Sequence, residues 1–166
     1  MPQSANHDHH RVTNVVLAGL GGQGVLKASD ILAGAAFLAG LDVKKSEIHG
    51  MSQRGGSVSS DVRFGPQVFS PMVPPGAADF LVVLAEDQVE VQRGQLRFGG
   101  VLIEPSMVDP AILPHRRSMN VLVLGILSRH LSIPQEAWYA AIAKNLKPEL
   151  HEVNRRAFEL GRTTAD

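Results

Sequence analysis

The segment Glu47 to Val58, EIHGMSQRGGSV, concentrates polar groups in a short stretch with little that could build a core. Arg54 carries a planar fork of donors that matches a carboxylate or a phosphate, while His49, Ser52 and Gln53 offer further hydrogen-bonding groups. Gly55 and Gly56 follow Arg54 directly, which suits a backbone that bends or approaches another group closely. Set between two strand-like runs, the segment reads as a surface loop that presents these donors at fixed positions. His49 has no partner visible in the sequence to make it a general base, and reads equally well as a structural histidine.

A second segment, GLGGQG from Gly19 to Gly24, fits the spacing G-x-G-x-x-G. Without Cβ atoms at Gly19, Gly21, Gly22 and Gly24, backbone N–H groups around Gln23 can approach a phosphate, helped by the field of a following helix. The alternative is a tight turn whose glycines serve only helix–sheet packing. An NAD site wants an acid near the end of the second strand. Lys44 and Lys45 stand there instead, with Glu47 beyond them. Two cations favour a ligand with an additional phosphate, NADP or coenzyme A, unless they are simply a solvated strand end.

The elements that would position these groups alternate between strand and helix. Val15 to Leu17 form a continuous apolar run, as a strand covered on both faces requires. Val25 to Ala39 is helical in spacing, and its Ala28, Ala35, Ala36 and Ala39 let it lie close on a sheet. LDVKKSEI returns as a second strand. From Val58 to Phe64 the apolar residues alternate, and Gly65-Pro66 reads as a hairpin turn running on into Gln67–Ser70. FLVVLA and GGVLIEP supply two more strands, with a short helix between them. NVLVLGILSRHL is apolar nearly all round, and two helices follow Pro134 and Pro148, the last closed by Gly161. The expected fold is α/β, a Rossmann-like three-layer domain with a mixed, mostly parallel sheet and a helical C-terminal part. Residues 1–11 read as a disordered polar tail and 12–166 as a single domain.

Composition narrows the function. The 166 residues include 16 basic and 16 acidic side chains, so bulk charge gives no reason to expect nucleic acid or an anionic membrane as partner. With no cysteine, the chain can neither form a disulfide nor hold a thiolate-ligated iron–sulfur cluster. No apolar run approaches the roughly 20 residues that span a bilayer, and the N-terminus lacks the apolar segment of a signal peptide, so a cytoplasmic location is the expectation. His7, His9 and His10 around Asp8 could hold a metal or form a solvated tail, and no metal site is assigned.

Taken together, GLGGQGVLKASDILAGAAFLAG, DVKKSEIHGMSQRGGSVSSDVRFG, Ser70-Pro71, NVLVLGIL and EVNRRAFELG resemble the gamma-type component of the 2-oxoacid:ferredoxin oxidoreductases, most closely the small subunits of the indolepyruvate branch. The resemblance runs from about Val12 to Gly161. It implies a partner: a large subunit that carries thiamine diphosphate, Mg and [4Fe-4S] clusters, decarboxylates the 2-oxoacid and passes electrons to ferredoxin. The small subunit itself has no redox centre and no turnover alone. On this reading coenzyme A docks on Gly19, Gly21, Gly22, Gln23, Gly24, Lys44 and Lys45, while His49, Ser52, Gln53 and Arg54 line an active site on the large subunit. Two other readings remain open, a purely architectural subunit and a free-standing NADP-binding dehydrogenase. Phe69, Met72 and Val73, in a proline-stiffened loop, are expected to face a large partner interface.

Overall fold

β1 (Thr13–Leu20) runs through the middle of the sheet and is buried over almost its whole length. That placement explains why its sequence does not alternate, since both of its faces are covered. The computed structural model describes residues 11–49 and 56–164, the His49 side chain excepted. α1 (Val25–Leu38), β2 (Asp42–His49), β3 (Ser57–Gly65), β4 (Ala78–Val83) and β5 (Leu96–Ile103) follow, and the strands line up as β2-β3-β1-β4-β5. β1 pairs parallel with β4, and β4 with β5. β3 lies antiparallel to both β1 and β2. One strand of five therefore runs against the rest, which is the mixed, mostly parallel α/β sheet expected from the sequence.

One face of this sheet carries the helices. α1 buries Ala28, Ala35 and Ala36 completely, and these small side chains bring the helix axis close to the strands. Beside it lies α3 (Met119–Ser128), whose Asn120 to Ser128 are all buried, so an apolar pattern without a polar face was the correct sign of a central helix. α4 (Gln135–Asn145) and α5 (His151–Thr163) close this side, with Trp138 and Phe158 fully buried and their rings 5.4 Å apart. Gly161 does not end α5, which continues to Thr163. It is needed for close approach: a Cβ there would stand 2.0 Å from the carbonyl oxygen of Leu122 on α3.

The opposite face is thin. Its core is Val16, Val73, Ala78, Leu81, Val83 and Val89, the last from the single-turn helix α2 (Val89–Gln92). Residues 66–77 cross this face as an irregular strap, and the strand expected over Gln67–Ser70 does not form. Side chains of the neighbouring strands take its backbone groups instead. Asp42 Oδ2 accepts from Val68 N at 2.8 Å, Asp61 Oδ2 accepts from Val73 N at 2.9 Å, and Arg63 Nη1 donates to Ser70 O at 2.8 Å. The strap turns Val73 inward and leaves Phe69 at 83% and Met72 at 55% exposure. The expectation of three outward apolar side chains thus holds for two of them.

Candidate functional site

At the C-terminal end of β1 the chain makes a tight turn, in which Gln23 N donates to Leu20 O at 3.2 Å. Gly22 and Gly24 take φ of 89° and 81°, a region that side chains other than glycine rarely adopt. Gly24 is also the N-cap of α1, and no side chain caps the helix. Its first-turn N–H groups are therefore left for another acceptor. The first turn holds no acidic residue to offset the positive end of the helix.

A cleft of about 500 Å³ opens on this turn, between the start of α1, Leu84 beyond β4, and the start of α3. Gly22, Gln23 and Gly24 form its floor, and Lys27, Arg116 and Arg117 supply three cations. None of the three has a carboxylate partner among the described residues. Asn120 completes the wall and donates through Nδ2 to Gly24 O at 3.2 Å, joining α3 to the turn. Three unbalanced cations and an uncapped helix N-terminus raise a positive potential in one concave place, and an anion relieves it. The open space beside Gly22, where a Cβ would meet nothing within 4 Å, leaves room for a group on the backbone itself.

Lys44 and Lys45 do not join this cleft. Lys45 pairs in register with Val62, and Val62 with Val15, so it lies level with the start of β1 rather than its end. His49 lies four positions further on, about 13 Å along the strand. Its Nζ is held by Asp30 of α1, by Glu47 Oε1 at 2.6 Å, and more loosely by Ser29 Oγ at 3.5 Å. Burial pulls the ammonium pKa down, yet Asp30 and Glu47 outweigh it and the net shift is upward. Lys44, one residue earlier, points to the opposite face, beside Arg63 of β3. The juxtaposition of two lysines with the glycine turn, expected from the sequence, is absent because strand alternation sends them to different faces and register places both too far back.

The polar segment fares differently. Ser52, Gln53 and Arg54, like the His49 side chain, lie outside the described residues, but both ends of the segment are fixed. β2 ends at His49, which pairs with Val58, and Val58 pairs with Gly19. Gly21 N donates to Gly56 O at 2.9 Å. Ser57 Oγ donates to Gln88 Oε1 at 2.8 Å. The two segments singled out for their chemistry therefore meet at one end of the sheet, the end at which open α/β sheets bind ligands.

Sequence reasoning missed Lys27, Arg116, Arg117 and Asn120. Lys27 was detectable, three positions after Gly24 and so in the first turn of the helix. Arg116-Arg117 is in the sequence no more than a basic pair ahead of an apolar helix, and nothing local says that this helix starts beside β1. His7, His9 and His10 lie outside the described residues. Among the described residues no group of three His, Cys, Asp or Glu side chains could hold a metal ion, and no helix is long and apolar enough to cross a membrane.

A strand–glycine turn–helix with a cationic cleft beside it, at the C-terminal end of a mostly parallel sheet, defines the class of this α/β domain. The chain belongs to the pyruvate ferredoxin/flavodoxin oxidoreductase family, whose model matches residues 14–164. It is 34% identical to the indolepyruvate oxidoreductase subunit IorB of Thermococcus kodakarensis, over 89% of this chain and 93% of that one. Among solved structures it resembles the gamma subunit of a keto/oxoacid ferredoxin oxidoreductase from Geobacter sulfurreducens, with a TM-score of 0.77 and 24% identity over 92% of this chain and 98% of that chain. It also matches part of the 2-oxoglutarate:ferredoxin oxidoreductase of Magnetococcus marinus, with a TM-score of 0.75 and 18% identity over 94% of this chain and 32% of that chain, a structure with 2-oxoglutarate, coenzyme A and succinyl-CoA bound. The chain is thus a small subunit of the 2-oxoacid:ferredoxin oxidoreductase family.

Proposed function

We propose that the protein is the small subunit of an indolepyruvate (aryl-pyruvate or 2-oxoacid):ferredoxin oxidoreductase that converts its 2-oxoacid to an acyl-CoA. In this reading a large subunit holds the thiamine diphosphate, Mg and iron–sulfur clusters, and ferredoxin takes the electrons there. This chain contributes to coenzyme A binding and closes the large subunit's active site. The observation that carries the reading is the set of three cations, Lys27, Arg116 and Arg117, without a carboxylate partner among the described residues, around the uncapped N-terminus of α1. Coenzyme A brings a diphosphate and a ribose phosphate, and multiple negative charges suit three cations better than a neutral ligand does. A relative of the same fold binds coenzyme A, and four relatives named as indolepyruvate oxidoreductase subunits favour the aryl-pyruvate assignment.

The roles divide by chemistry. The first-turn N–H groups of α1 and the Lys27, Arg116 and Arg117 side chains hold phosphate oxygens, while Leu84 and Met119 offer apolar contact. Arg54, with His49, Ser52 and Gln53 at hand, pairs with an anionic group at the large subunit's active site. Lys44 and Lys45 have no place in this arrangement. Lys27→Ala and Arg117→Ala in the assembled enzyme test it through the coenzyme A dependence of turnover. Each lost charge-assisted contact is worth on the order of 1.5–3 kcal/mol, roughly 10- to 150-fold in affinity. An unchanged coenzyme A dependence would leave the architectural role as the better reading. Arg54→Ala is expected to lower kcat/KM about tenfold, about 1.4 kcal/mol, with the melting of the free subunit unmoved.

A further inference from the structure

Gln23 sits between the two positive-φ glycines of the turn, Gly22 and Gly24, where the backbone restrains itself least. Its side chain, although exposed, makes two hydrogen bonds within the protein. Oε1 accepts from Leu20 N, the last residue of β1, at 2.7 Å. Nε2 donates to Leu84 O at 3.1 Å. Leu84 in turn donates its N–H to Ala18 O at 2.8 Å, so it is itself tied to β1. One amide thus links the turn to the ends of two parallel strands. Gly19 leaves the space this needs, since a Cβ there would stand 2.8 Å from Gln23 Oε1.

We propose that Gln23 is a positioning residue of the anion cleft: by bridging Leu20 N and Leu84 O it fixes the glycine turn so that the first N–H groups of α1 face the ligand. The inference rests on the reading of the cleft as a coenzyme A site. A flexible turn of glycines would otherwise sample several orientations, and each ligand bound would have to order it. A pre-set turn removes that cost from binding. In this role Gln23 acts on the ligand through the backbone that its two hydrogen bonds hold in place. An amide is required because the two contacts are of opposite sense, one accepting and one donating. A carboxylate would keep the first contact, face the Leu84 oxygen with another oxygen, and add negative charge beside an anion site.

The test uses Gln23→Met, similar in size but without either hydrogen bond, in the complex with the large subunit, with Lys27→Ala alongside. Three quantities are measured: coenzyme A affinity by calorimetry, the split between KM for coenzyme A and kcat, and deuterium exchange at the Leu20 amide. The expected result is affinity and KM weakened about tenfold, as two lost hydrogen bonds allow, with kcat nearly unchanged and the Leu20 amide exchanging faster. If Lys27→Ala weakens coenzyme A binding while Gln23→Met leaves it unchanged, Gln23 only stabilises the turn and the proposal is overturned. If neither substitution affects coenzyme A, the reading of the cleft itself fails and the proposal falls with it. Should Gln23→Met fail to assemble, the uncharged Gln23→Leu decides the same question, with the same weakening expected.

Discussion

Gly125 of α3 and Gly161 of α5 lie back to back: a Cβ on Gly161 would stand 3.0 Å from the Gly125 Cα, and a Cβ on Gly125 would stand 2.1 Å from Phe158 O. The start of α3 is also a wall of the cationic cleft, through Met119 and Asn120. The depth to which the two helices interlock therefore sets where that wall stands.

Gly161→Ala is expected to destabilise the subunit, because the carbonyl oxygen it would strike belongs to a helix backbone and cannot swing away. Overpacking of this kind costs about 1–3 kcal/mol, which lowers the melting temperature of a domain this size by roughly 2–12 °C. Gly34→Ala in α1 is the control. Its Cβ would meet Ala141 Cβ at 3.4 Å, an ordinary contact, and alanine favours the helix by about 0.8–1.0 kcal/mol over glycine. Thermal melting of both variants should therefore separate them in sign.

Periodicity and punctuation made the fold largely legible. The buried β1, the alternating β3 and the all-apolar α3 each carried a pattern that only one environment explains. Gln67–Ser70 misled because Gly65-Pro66 resembles a hairpin turn, whereas the partners of the strap are the side chains of Asp42, Asp61 and Arg63. The site was half legible. Gly19 to Gly24 announced itself by spacing, and the flanks of the polar segment do reach it. Arg116 and Arg117 could not be read, because only the packing of α3 against the sheet brings them there. Lys44 and Lys45 show the converse error, since neighbours in a strand face opposite ways.

The Asp61 carboxyl, buried under the strap, gives the stability a pH dependence. Burial raises its pKa above the ordinary 3.8, and the Val73 N–H bond and the Arg63 charge offset this only in part. Both folded and unfolded chains are neutral at this position well below that value. As pH rises from 3.8 through the raised native value, the unfolded chain ionises first, and this group's contribution to stability falls. Asp61→Asn removes that dependence while keeping an acceptor for Val73 N. The variant's melting temperature relative to wild type should therefore rise between pH 3.5 and pH 7. A difference that stays flat across the range would mean that burial does not govern this carboxyl.

Phe69 and Met72 stand on the thin face of the sheet, held out by a strap whose backbone is pinned at Val68, Ser70 and Val73. A rigid mount for exposed apolar side chains suits an interface, since little order has to be gained on binding. Phe69→Ser is expected to leave the melting of the free subunit almost unchanged and to weaken association with the large subunit by about 2 kcal/mol, the size of an interface hot spot. Titration of the purified subunits measures this directly. Equal affinity of variant and wild type would move the interface elsewhere.

Lys45 offers the sharpest contrast with Lys27, because the two lysines differ in their partners rather than in their charge. Lys45 lies between Asp30 and Glu47 and is half-buried, so its ammonium is already neutralised within the fold. Lys27 has no carboxylate partner among the described residues and lines the cleft. Lys45→Ala leaves Asp30 and Glu47 without their shared cation, and a loss of about 1 kcal/mol is expected, the upper end for exposed ion pairs. The coenzyme A dependence of the assembled enzyme should not move, since no ligand contact is removed. Lys27→Ala should do the reverse: the fold keeps its stability, or gains a little as repulsion from Arg116 and Arg117 is relieved, and KM for coenzyme A rises. The two variants measured side by side, by melting and by coenzyme A titration, form a crossed comparison in which a general loss of folding cannot imitate a loss of binding. If Lys45→Ala raises KM for coenzyme A while Lys27→Ala does not, the phosphates lie against β2 and the cleft at the glycine turn serves another purpose.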